Sequence, residues 1–327
     1  MTTAQRPRIA MVFTGGTISM RLDPEAGGAV PSLSGSQILD RMESVRGLAD
    51  LELTEYGQYP GPHVTPEMMF EIATITARAC ADPAIDGVII THGTDTLEET
   101  AYFLDLALDT LKPVIVIGSM NHTDDPDWDG PVNVRDAILT IASGQFQGLG
   151  VMTCLGGEIN AASEVTKTHT LQRDTFMSFD FGPLGRIFEG RPVFLRRPYM
   201  HEHLGLHHPA EPVHLLKCYA GMPEDPFRTC KGRVRGLVVE AMGTGNVPPR
   251  AFDGIVELVG EGIPVVLVSR CPRGMTDDVY GYYGAGRTLH ANGVVFARYL
   301  NGQKARIKLM LALAAGKRGE TLRECFE

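Results

Sequence analysis

The stretch Thr14-Gly15-Gly16-Thr17-Ile18-Ser19 follows an apolar run at residues 9–13, and Thr91-His92-Gly93-Thr94-Asp95-Thr96 follows a second run at residues 87–90. Each stretch places small hydroxyl side chains where a buried strand is expected to end. Open α/β sheets bind ligands at the carboxyl ends of their strands, so two such loops can meet in one crevice. The sequence therefore predicts that two threonine hydroxyls and a carboxylate converge on a small molecule.

Strand and helix patterns alternate through the first part of the chain. Short apolar runs are typical of buried strands, and the longer stretches between them carry apolar residues at helical spacing. Strands separated by helices of this length form βαβ units with a mainly parallel sheet, so the predicted fold class is α/β. The predicted strands are residues 9–13, 87–91, 113–118 and 150–154, and the predicted helices are residues 36–45, 66–79, 97–108 and 132–142.

The length of 327 residues exceeds what one hydrophobic core usually supports, so two domains are expected. The segment at residues 186–211 interrupts the alternation with prolines and histidines, and it is interpreted as a linker with some extended structure. We predict two α/β domains: a larger N-terminal catalytic domain, with a mainly parallel sheet flanked by helices, and a smaller C-terminal domain with a parallel sheet. The predicted bounds are 1–195 for the first domain, 196–212 for the linker and 213–327 for the second domain, which has strands at 236–240 and 264–269 and helices near 250–259 and at 304–315.

Composition excludes several classes of function. A net charge of −9, from 30 basic and 39 acidic side chains, argues against binding to nucleic acid or to an anionic membrane surface. No stretch approaches the roughly 20 apolar residues of a spanning helix, and no apolar leader precedes the first strand, so a cytoplasmic location is expected. The six cysteines lack C-x-x-C spacing, and the histidines His201, His203, His207 and His208 are interpreted as a surface patch. No metal and no cofactor are therefore predicted.

The helix after the second loop has a recognisable start. Thr96-Leu97-Glu98-Glu99 fits a capping box, in which a hydroxyl residue is followed three positions later by a glutamate. Thr94 and Asp95 then lie at a helix N-terminus, where free backbone N–H groups favour negative charge. A purely structural role as caps remains open for Asp95 and Thr96. A nucleotide site is disfavoured, because neither of the common glycine-rich phosphate-binding motifs is present.

Taken together, the two loops strongly resemble the bacterial-type L-asparaginase family. The string from His92 to Ala101 is long and specific, and the resemblance extends over nearly the whole chain. It implies a larger N-terminal and a smaller C-terminal domain, and a homodimer or a homotetramer built from intimate dimers. In that family each active site lies between the large domain of one subunit and the small domain of its neighbour. The further matching stretches are Asp129-Gly130-Pro131 with Asn133, Val165-Thr166-Lys167-Thr168, residues 181–185, Gly243-Thr244-Gly245-Asn246 and Lys304-Ala305-Arg306.

The resemblance implies a chemistry for four side chains. Thr17 is the nucleophile that attacks the amide carbon of asparagine, ammonia leaves, and water hydrolyses the aspartyl ester. Thr94 helps to activate that nucleophile or replaces it, with Lys167 as its proton partner. Asp95 binds the α-ammonium group of the substrate.

The resemblance also implies a set of substrate-binding positions. Backbone N–H groups near Gly16 and Thr94 are expected to stabilise the oxyanion. Gly93 allows the backbone to approach the substrate closely. Asn246 matches a position that a neighbouring subunit contributes near the α-amino group.

Two positions depart from the family pattern. A serine–glutamine pair that binds the α-carboxylate and amine corresponds here to Tyr59-Pro60-Gly61-Pro62-His63, so only the backbone near Gly61 and Pro62 or the side chain of His63 can make those contacts. The tyrosine expected in the lid after the nucleophile falls at Val30. We hypothesise that Tyr282, with Tyr280 and Tyr283 as alternatives, supplies the missing phenol.

The predicted function is hydrolysis of L-asparagine to L-aspartate and ammonia by a threonine nucleophile. A glutaminase or broader amidohydrolase is the nearest alternative, because one methylene in a pocket gives only about 1–3 kcal/mol of discrimination. A protein of the same fold that binds an amino acid without free hydrolysis, as a sensor or an amidotransferase subunit, is the alternative from another class. The expected partners are the small-molecule substrate and further copies of the chain, with no nucleic acid and no membrane.

Overall fold

The computed structural model describes residues 6–327 of the chain. Its internal contacts divide the chain into two units, Met1–Leu206 and His207–Glu327. The division falls inside the segment 196–212 that the sequence assigns to a linker. The α/β fold class is confirmed in both units, whereas the domain bounds stay a prediction.

The first unit is built on a mainly parallel sheet with helices between successive strands. Its helices are α1 (Gly35–Asp40), α2 (Pro66–Ala81), α3 (Leu97–Ala107) and α4 (Gly130–Ala142), with 3₁₀ turns at Thr17–Ser19, Glu43–Val45 and Gly61–His63. Its strands are β1 (Arg8–Gly15), β2 (Met20–Asp23), β3 (Gly28–Pro31), β4 (Asp50–Tyr59), β5 (Gly87–Thr91), β6 (Val114–Ile117), β7 (Val151–Leu155), β8 (Glu158–Ala161), β9 (Thr166–Lys167), β10 (Phe176–Met177), β11 (Gly185–Phe188) and β12 (Arg191–Phe194).

The main sheet has the order β12-β11-β8-β7-β6-β5-β1-β4 among the described residues. The strands β4, β1, β5, β6 and β7 are parallel, and the remaining three pair antiparallel. Every residue of β5 and β6 is buried, which explains their runs of valine and isoleucine without alternation. Since β1 and β5 are neighbours with Phe13 opposite Thr91, the two loops that follow them leave the same edge of the sheet side by side.

Three sequence-based assignments in this unit were wrong or incomplete. The strand Asp50–Tyr59 was missed, because it lies at the sheet edge, half exposed, and carries polar residues at most positions. Residues 185–194 form the hairpin β11–β12 at the opposite edge, so the first part of the supposed linker at 186–211 belongs to the sheet. The predicted helix 36–45 ends at Asp40, and a separate 3₁₀ turn follows.

The second unit is a smaller parallel sheet with the order β13-β14-β15-β16. Leu237, Leu267 and Ile255 belong to its core cluster. The prediction of a last helix at 304–315 was incomplete, because a further helix follows it. The strands are β13 (Val213–Lys217), β14 (Gly236–Ala241), β15 (Val265–Ser269) and β16 (Val295–Phe296), and the helices are α5 (Asp225–Arg228), α6 (Pro249–Gly260), α7 (Gly286–Ala291), α8 (Gly302–Ala314) and α9 (Gly319–Phe326).

Candidate active site

The loops after β1 and β5 are joined through the first threonine of each. The Thr14 hydroxyl donates to the Thr91 carbonyl at 2.6 Å, and the Thr14 amide donates to the Thr91 hydroxyl at 3.3 Å. Both residues are buried. These two hydroxyls therefore hold the strand ends together, which leaves Thr17 and Thr94 as the candidates for a chemical role.

Gly16 and Gly93 pack backbone against backbone and bring the two loops into contact. A Cβ atom on Gly16 would lie 2.5 Å from the Gly93 nitrogen, a distance at which the backbones could not stay in place. Gly16 also has φ = +81°, a conformation that side chains disfavour. Glycine is required here on both counts, and Thr17 is carried to the Thr94 loop as a result.

A third loop packs against the same point and corrects the prediction of a capping box. A Cβ atom on Gly93 would overlap with the Gly61 backbone, so the segment after β4 also approaches Gly93 closely. The Thr96 hydroxyl does not cap α3. It donates to the Gly61 carbonyl at 2.7 Å and ties this third loop to the helix start.

Lys167, on the short strand β9, links the side chains of the second loop. Its Nζ lies 2.9 Å from the Thr94 hydroxyl oxygen and 2.8 Å from Asp95 Oδ1. Its backbone N–H donates to the buried carboxylate of Glu98 at 2.7 Å, which anchors the strand to the first turn of α3. The Lys167 side chain is 16% exposed and that of Asp95 is 60% exposed, so the charged pair lies at the mouth of the site. An open cavity lined by Asp95, Lys167 and residues 168–170 adjoins the pair.

The backbone amides of Thr17 and Thr94 lie where the two loops meet and are candidates for binding a ligand. Among the described residues, neither the Thr17 N–H nor the Thr94 N–H has a hydrogen-bond acceptor, although Thr94 is only 6% exposed. The Gly16 N–H, by contrast, donates to the Tyr59 carbonyl at 2.9 Å, so it is not available as an oxyanion donor. Buried amides without acceptors are rare in native proteins and mark places where a water or a ligand completes the bonding.

Two protein-family models together match nearly the whole chain. The one described as "Asparaginase, N-terminal" matches residues 8–200, and "Glutaminase/Asparaginase C-terminal domain" matches residues 212–326. The chain belongs to the asparaginase family. The resemblance inferred from the two loops is thereby confirmed.

Several curated relatives in this family span nearly the whole chain. The chain is 37% identical to the probable L-asparaginase of Deinococcus radiodurans, over 99% of this chain and 98% of that protein. It is 31% identical to the L-asparaginase of Bacillus licheniformis, over 98% of this chain and 99% of that protein. It is also 28% identical to a glutamyl-tRNA(Gln) amidotransferase subunit of Methanobrevibacter smithii, over 94% of this chain and 72% of that protein.

The asparaginase-family motif at residues 129–133 shapes a neighbouring loop. The Asp129 carboxylate accepts hydrogen bonds from the Ser119 hydroxyl and from the Met120 and Asn121 amides, at 2.7 to 3.1 Å. The Asn133 side chain donates to the Gly118 carbonyl at 3.0 Å. A Cβ atom on Gly118 would lie 2.9 Å from the Thr94 methyl carbon, so the motif fixes the wall behind Thr94.

The remaining predicted binding residues differ in their exposure and in the unit to which they belong. Pro62 and His63 are exposed in the turn that begins at the buried Gly61. Asn246 and Tyr282 belong to the second unit. The Asn246 backbone pairs with Met242, and its side-chain oxygen is buried without a partner among the described residues. Tyr282 is 57% exposed.

The segment after Thr17 forms an ordered hairpin of β2 and β3. Val30, the position where the family resemblance places a tyrosine, pairs with Arg21 across this hairpin. The hairpin is tied to the loop after β6, because the Leu22 amide donates to Asp124 at 2.9 Å and the Thr123 hydroxyl donates to the Met20 carbonyl at 2.7 Å. Residue 30 thus contributes only an aliphatic side chain.

Two residues at the site were not expected from the sequence. Glu98 was assigned to a helix start, but its carboxylate holds the Lys167 strand. His92 is completely buried, its Nδ1 lies 2.8 Å from the Gly93 carbonyl oxygen, and its Nε2 lies 2.8 Å from the Thr100 hydroxyl. Burial lowers the pKa of His92 to about 4, so its imidazole is neutral at physiological pH. The sequence signal for His92 was only its place beside a glycine in a strand-end loop.

Within residues 6–327, no helix is both long and apolar enough to cross a membrane. The same residues contain no group of three His, Cys, Asp or Glu side chains that could hold a metal ion. In the histidine-rich segment, His201 lies 3.5 Å from the buried carboxylate of Asp105, which raises the pKa of His201. His203 contacts the Ala107 carbonyl at 3.3 Å. These two histidines are thus engaged with α3.

Proposed function

We propose that this member of the asparaginase family hydrolyses L-asparagine to L-aspartate and ammonia. The observation that carries the proposal is the pair of backbone amides at Thr17 and Thr94 beside the Thr94–Lys167–Asp95 network. Amide hydrolysis needs a nucleophile, a proton carrier and donors for the oxyanion. All three are available where the two loops meet, and the relatives named L-asparaginase support the choice of substrate.

Thr17 is the proposed nucleophile. Its side chain is half-buried and has no hydrogen-bond partner among the described residues, so its hydroxyl is free to turn toward a substrate. The hydroxyl oxygen attacks the amide carbon, and the oxyanion that forms accepts from the Thr17 and Thr94 amides. The Thr17 proton passes through the Thr94 hydroxyl to Lys167 Nζ, the proposed general base. The same route returns a proton to the leaving nitrogen, which departs as ammonia and leaves an aspartyl ester.

Water completes the reaction. It attacks the ester carbon, loses a proton along the same route and releases L-aspartate, which restores the Thr17 hydroxyl. The net reaction consumes one water and one asparagine and yields one aspartate and one ammonia. Asp95, at the mouth of the site, is the proposed partner of the substrate α-ammonium group. Its carboxylate would bind that group in addition to Lys167 Nζ.

The backbone at Gly61 bears on the selectivity between asparagine and glutamine. Gly61 is buried against Gly93, and a Cβ atom there would lie 3.1 Å from the Gly93 carbonyl oxygen. The chain therefore offers backbone groups and the exposed His63 where a side chain from residue 61 would otherwise bind substrate. We propose that asparagine is preferred and that glutamine is a poorer substrate.

The site also implies an assembly. Asn246 belongs to the second unit, and in the family resemblance this position serves the active site of a neighbouring subunit. Its side-chain oxygen is buried and has no partner among residues 6–327, which supports a binding role. We propose that the active enzyme is a homodimer or homotetramer, and sedimentation of the purified protein measures this state directly.

The decisive experiment compares ammonia release by the wild type, Thr17→Ala and Thr54→Ala. Thr54 is an exposed threonine on the edge strand β4 and serves as the matched control. We expect the wild type and Thr54→Ala to hydrolyse L-asparagine equally, and Thr17→Ala to fold but release no ammonia. Acid quenching of the wild type should trap an aspartyl ester on the peptide containing Thr17. Full activity in Thr17→Ala would exclude this mechanism.

The amidotransferase relative favours a second candidate function. That protein is one component of an amidotransferase, and the match leaves more than a quarter of its length outside the aligned region. A chain that served only in such a complex would release little ammonia from free asparagine or glutamine when assayed alone. Steady-state assays with L-asparagine, L-glutamine and D-asparagine on the isolated protein separate this candidate from an asparaginase and from a broader amidohydrolase.

A further inference from the structure

The buried histidine beside the second loop contacts the peptide group that joins Gly93 to Thr94. A carbonyl oxygen only accepts hydrogen bonds, so the contact at 2.8 Å requires a proton on His92 Nδ1. In the neutral imidazole, Nε2 is then an acceptor, and it receives the Thr100 hydroxyl proton at 2.8 Å. The tautomer and the direction of both bonds are therefore fixed by the chemistry of the partners.

This contact determines where the Thr94 amide points. A trans peptide is planar, and its C=O and N–H bonds point in opposite directions. Because His92 holds the Gly93 carbonyl on the buried side, the N–H of Thr94 is directed away from the imidazole. That N–H has no acceptor among the described residues.

We propose that His92 is a positioning residue that holds the Gly93–Thr94 peptide so that the Thr94 N–H is preorganised for the oxyanion. The inference rests on the proposed hydrolysis. If no side chain held the Gly93 carbonyl, this peptide could rotate, because glycine restricts the backbone less than other residues do. A rotated peptide would present its carbonyl oxygen to the oxyanion and repel it.

The anchoring of the imidazole supports a positioning role. His92 has no exposed surface, and its own amide donates to the Ile117 carbonyl at 2.8 Å, which continues the ladder between β5 and β6. Thr100, also buried, lies in α3 and fixes the far side of the ring. A series of hydrogen bonds thus connects α3, through the Thr100 hydroxyl and the His92 imidazole, to the Gly93–Thr94 peptide. A hydrogen bond donated to the carbonyl also polarises the peptide and strengthens its N–H as a donor.

The first test separates the hydrogen bond from the volume of the ring. His92→Leu fills space without a donor, whereas His92→Asn places an amide N–H near the position of Nδ1. We expect kcat for L-asparagine to fall about 10²- to 10³-fold in His92→Leu, the usual loss for one oxyanion donor, with KM changed little. His92→Asn should recover most of the loss. His214→Asn, at an exposed histidine on β13, is the control and should match the wild type.

The second test uses binding and does not depend on turnover. The aldehyde analogue of L-aspartate adds the Thr17 hydroxyl to its carbonyl and forms a hemiacetal whose oxygen lies where the oxyanion forms. L-Aspartate itself makes no such adduct. His92→Leu should lose affinity for the aldehyde by the same factor as kcat, while its affinity for L-aspartate stays within about threefold.

The outcomes are distinguishable. Equal losses of affinity for the aldehyde and for L-aspartate, or an unchanged kcat in His92→Leu, would overturn the positioning role. If His92→Leu does not fold, Thr100→Val takes its place, since it keeps the imidazole and removes only the bond to Nε2, and the same kcat and affinity criteria apply. Nitrogen NMR of the wild type must also show the neutral tautomer protonated on Nδ1, and the other tautomer would overturn the inference. A wild type that releases no ammonia would instead refute the proposed function.

Discussion

The two threonine loops look alike in sequence and are built in opposite ways. Thr94 is buried, and its hydroxyl oxygen accepts a hydrogen bond from Lys167 Nζ. Thr17 is half-buried, and its side chain has no hydrogen-bond partner in the part of the chain that the structure describes. The Thr94 loop is braced by the side chains of His92 and Lys167, whereas the Thr17 loop is positioned mainly by glycine backbone.

The difference fits the two roles proposed for these residues, a nucleophile for Thr17 and a proton relay with an oxyanion donor for Thr94. A nucleophilic hydroxyl must turn from its resting position toward the substrate carbon and then carry an ester, so a fixed hydrogen bond would oppose the reaction. A proton relay and an oxyanion donor act only when their geometry is already set, because they gain from preorganisation. The proposal therefore gives the mobile hydroxyl to Thr17 and the fixed one to Thr94.

A large effect is predicted for the loss of the Lys167 side chain that holds Thr94. Lys167→Met keeps much of the side-chain volume and removes the nitrogen, and we expect kcat for L-asparagine to fall about 10³-fold, within the usual range for a general base. Lys231→Met, which breaks a surface ion pair with Glu261, is the control and should behave as wild type. If Lys167→Met keeps a kcat close to that of the wild type, Thr17 has another base, and Thr94 is not the proton relay.

The next prediction concerns the glycine backbone that positions Thr17. Gly16→Ala adds a Cβ atom that would lie 2.5 Å from the Gly93 nitrogen, and it forces a side chain onto a backbone with φ = +81°. Backbone strain and overpacking together should lower the free energy of unfolding by about 3 kcal/mol. Urea unfolding followed by circular dichroism measures this loss.

The hairpin turn supplies a matched control for that variant. Gly27 also has a positive φ, +66°, but a Cβ atom there would meet nothing within 4 Å. Gly27→Ala should therefore cost only about 1 kcal/mol, the penalty of the left-handed backbone alone. Equal losses in Gly16→Ala and Gly27→Ala would show that the close contact between the two loops does not hold them together.

Sequence reasoning captured the centre of the fold and missed its edges. The strand at residues 87–91 was predicted with its observed bounds, because a fully buried parallel strand leaves an unbroken apolar run. The edge strand β4 was missed, because none of its residues is buried and it contains no apolar run. An unbroken apolar run reports burial on both faces, so it cannot identify a strand in which no residue is buried.

The site was predictable where local sequence dictates geometry and not where tertiary contacts do. Glycine beside threonine at a strand end indicated both loops, since close backbone approach requires glycine. Thr96 was assigned to a cap, but its hydroxyl binds the Gly61 carbonyl, a residue distant in sequence. Lys167 has no local signal linking it to Thr94, and only the family resemblance pointed to it. The bonds of His92 depend on the fold around it and could not be inferred from its neighbours in sequence.

The last prediction again concerns the loop that contains Thr94, through the pH dependence of stability. Burial lowers the pKa of His92 to about 4, against 6.5 for an unperturbed histidine. Between these values the unfolded chain binds a proton at this residue and the folded chain does not, so the contribution is complete above about pH 6.5 and is lost as the pH falls toward 4. Relative to His92→Asn, the wild type should lose about 2 kcal/mol of unfolding free energy between about pH 7.5 and pH 5. Urea unfolding of both proteins at the two pH values measures the difference, and parallel pH dependences would mean that His92 titrates normally and that the second loop is more open than its contacts indicate.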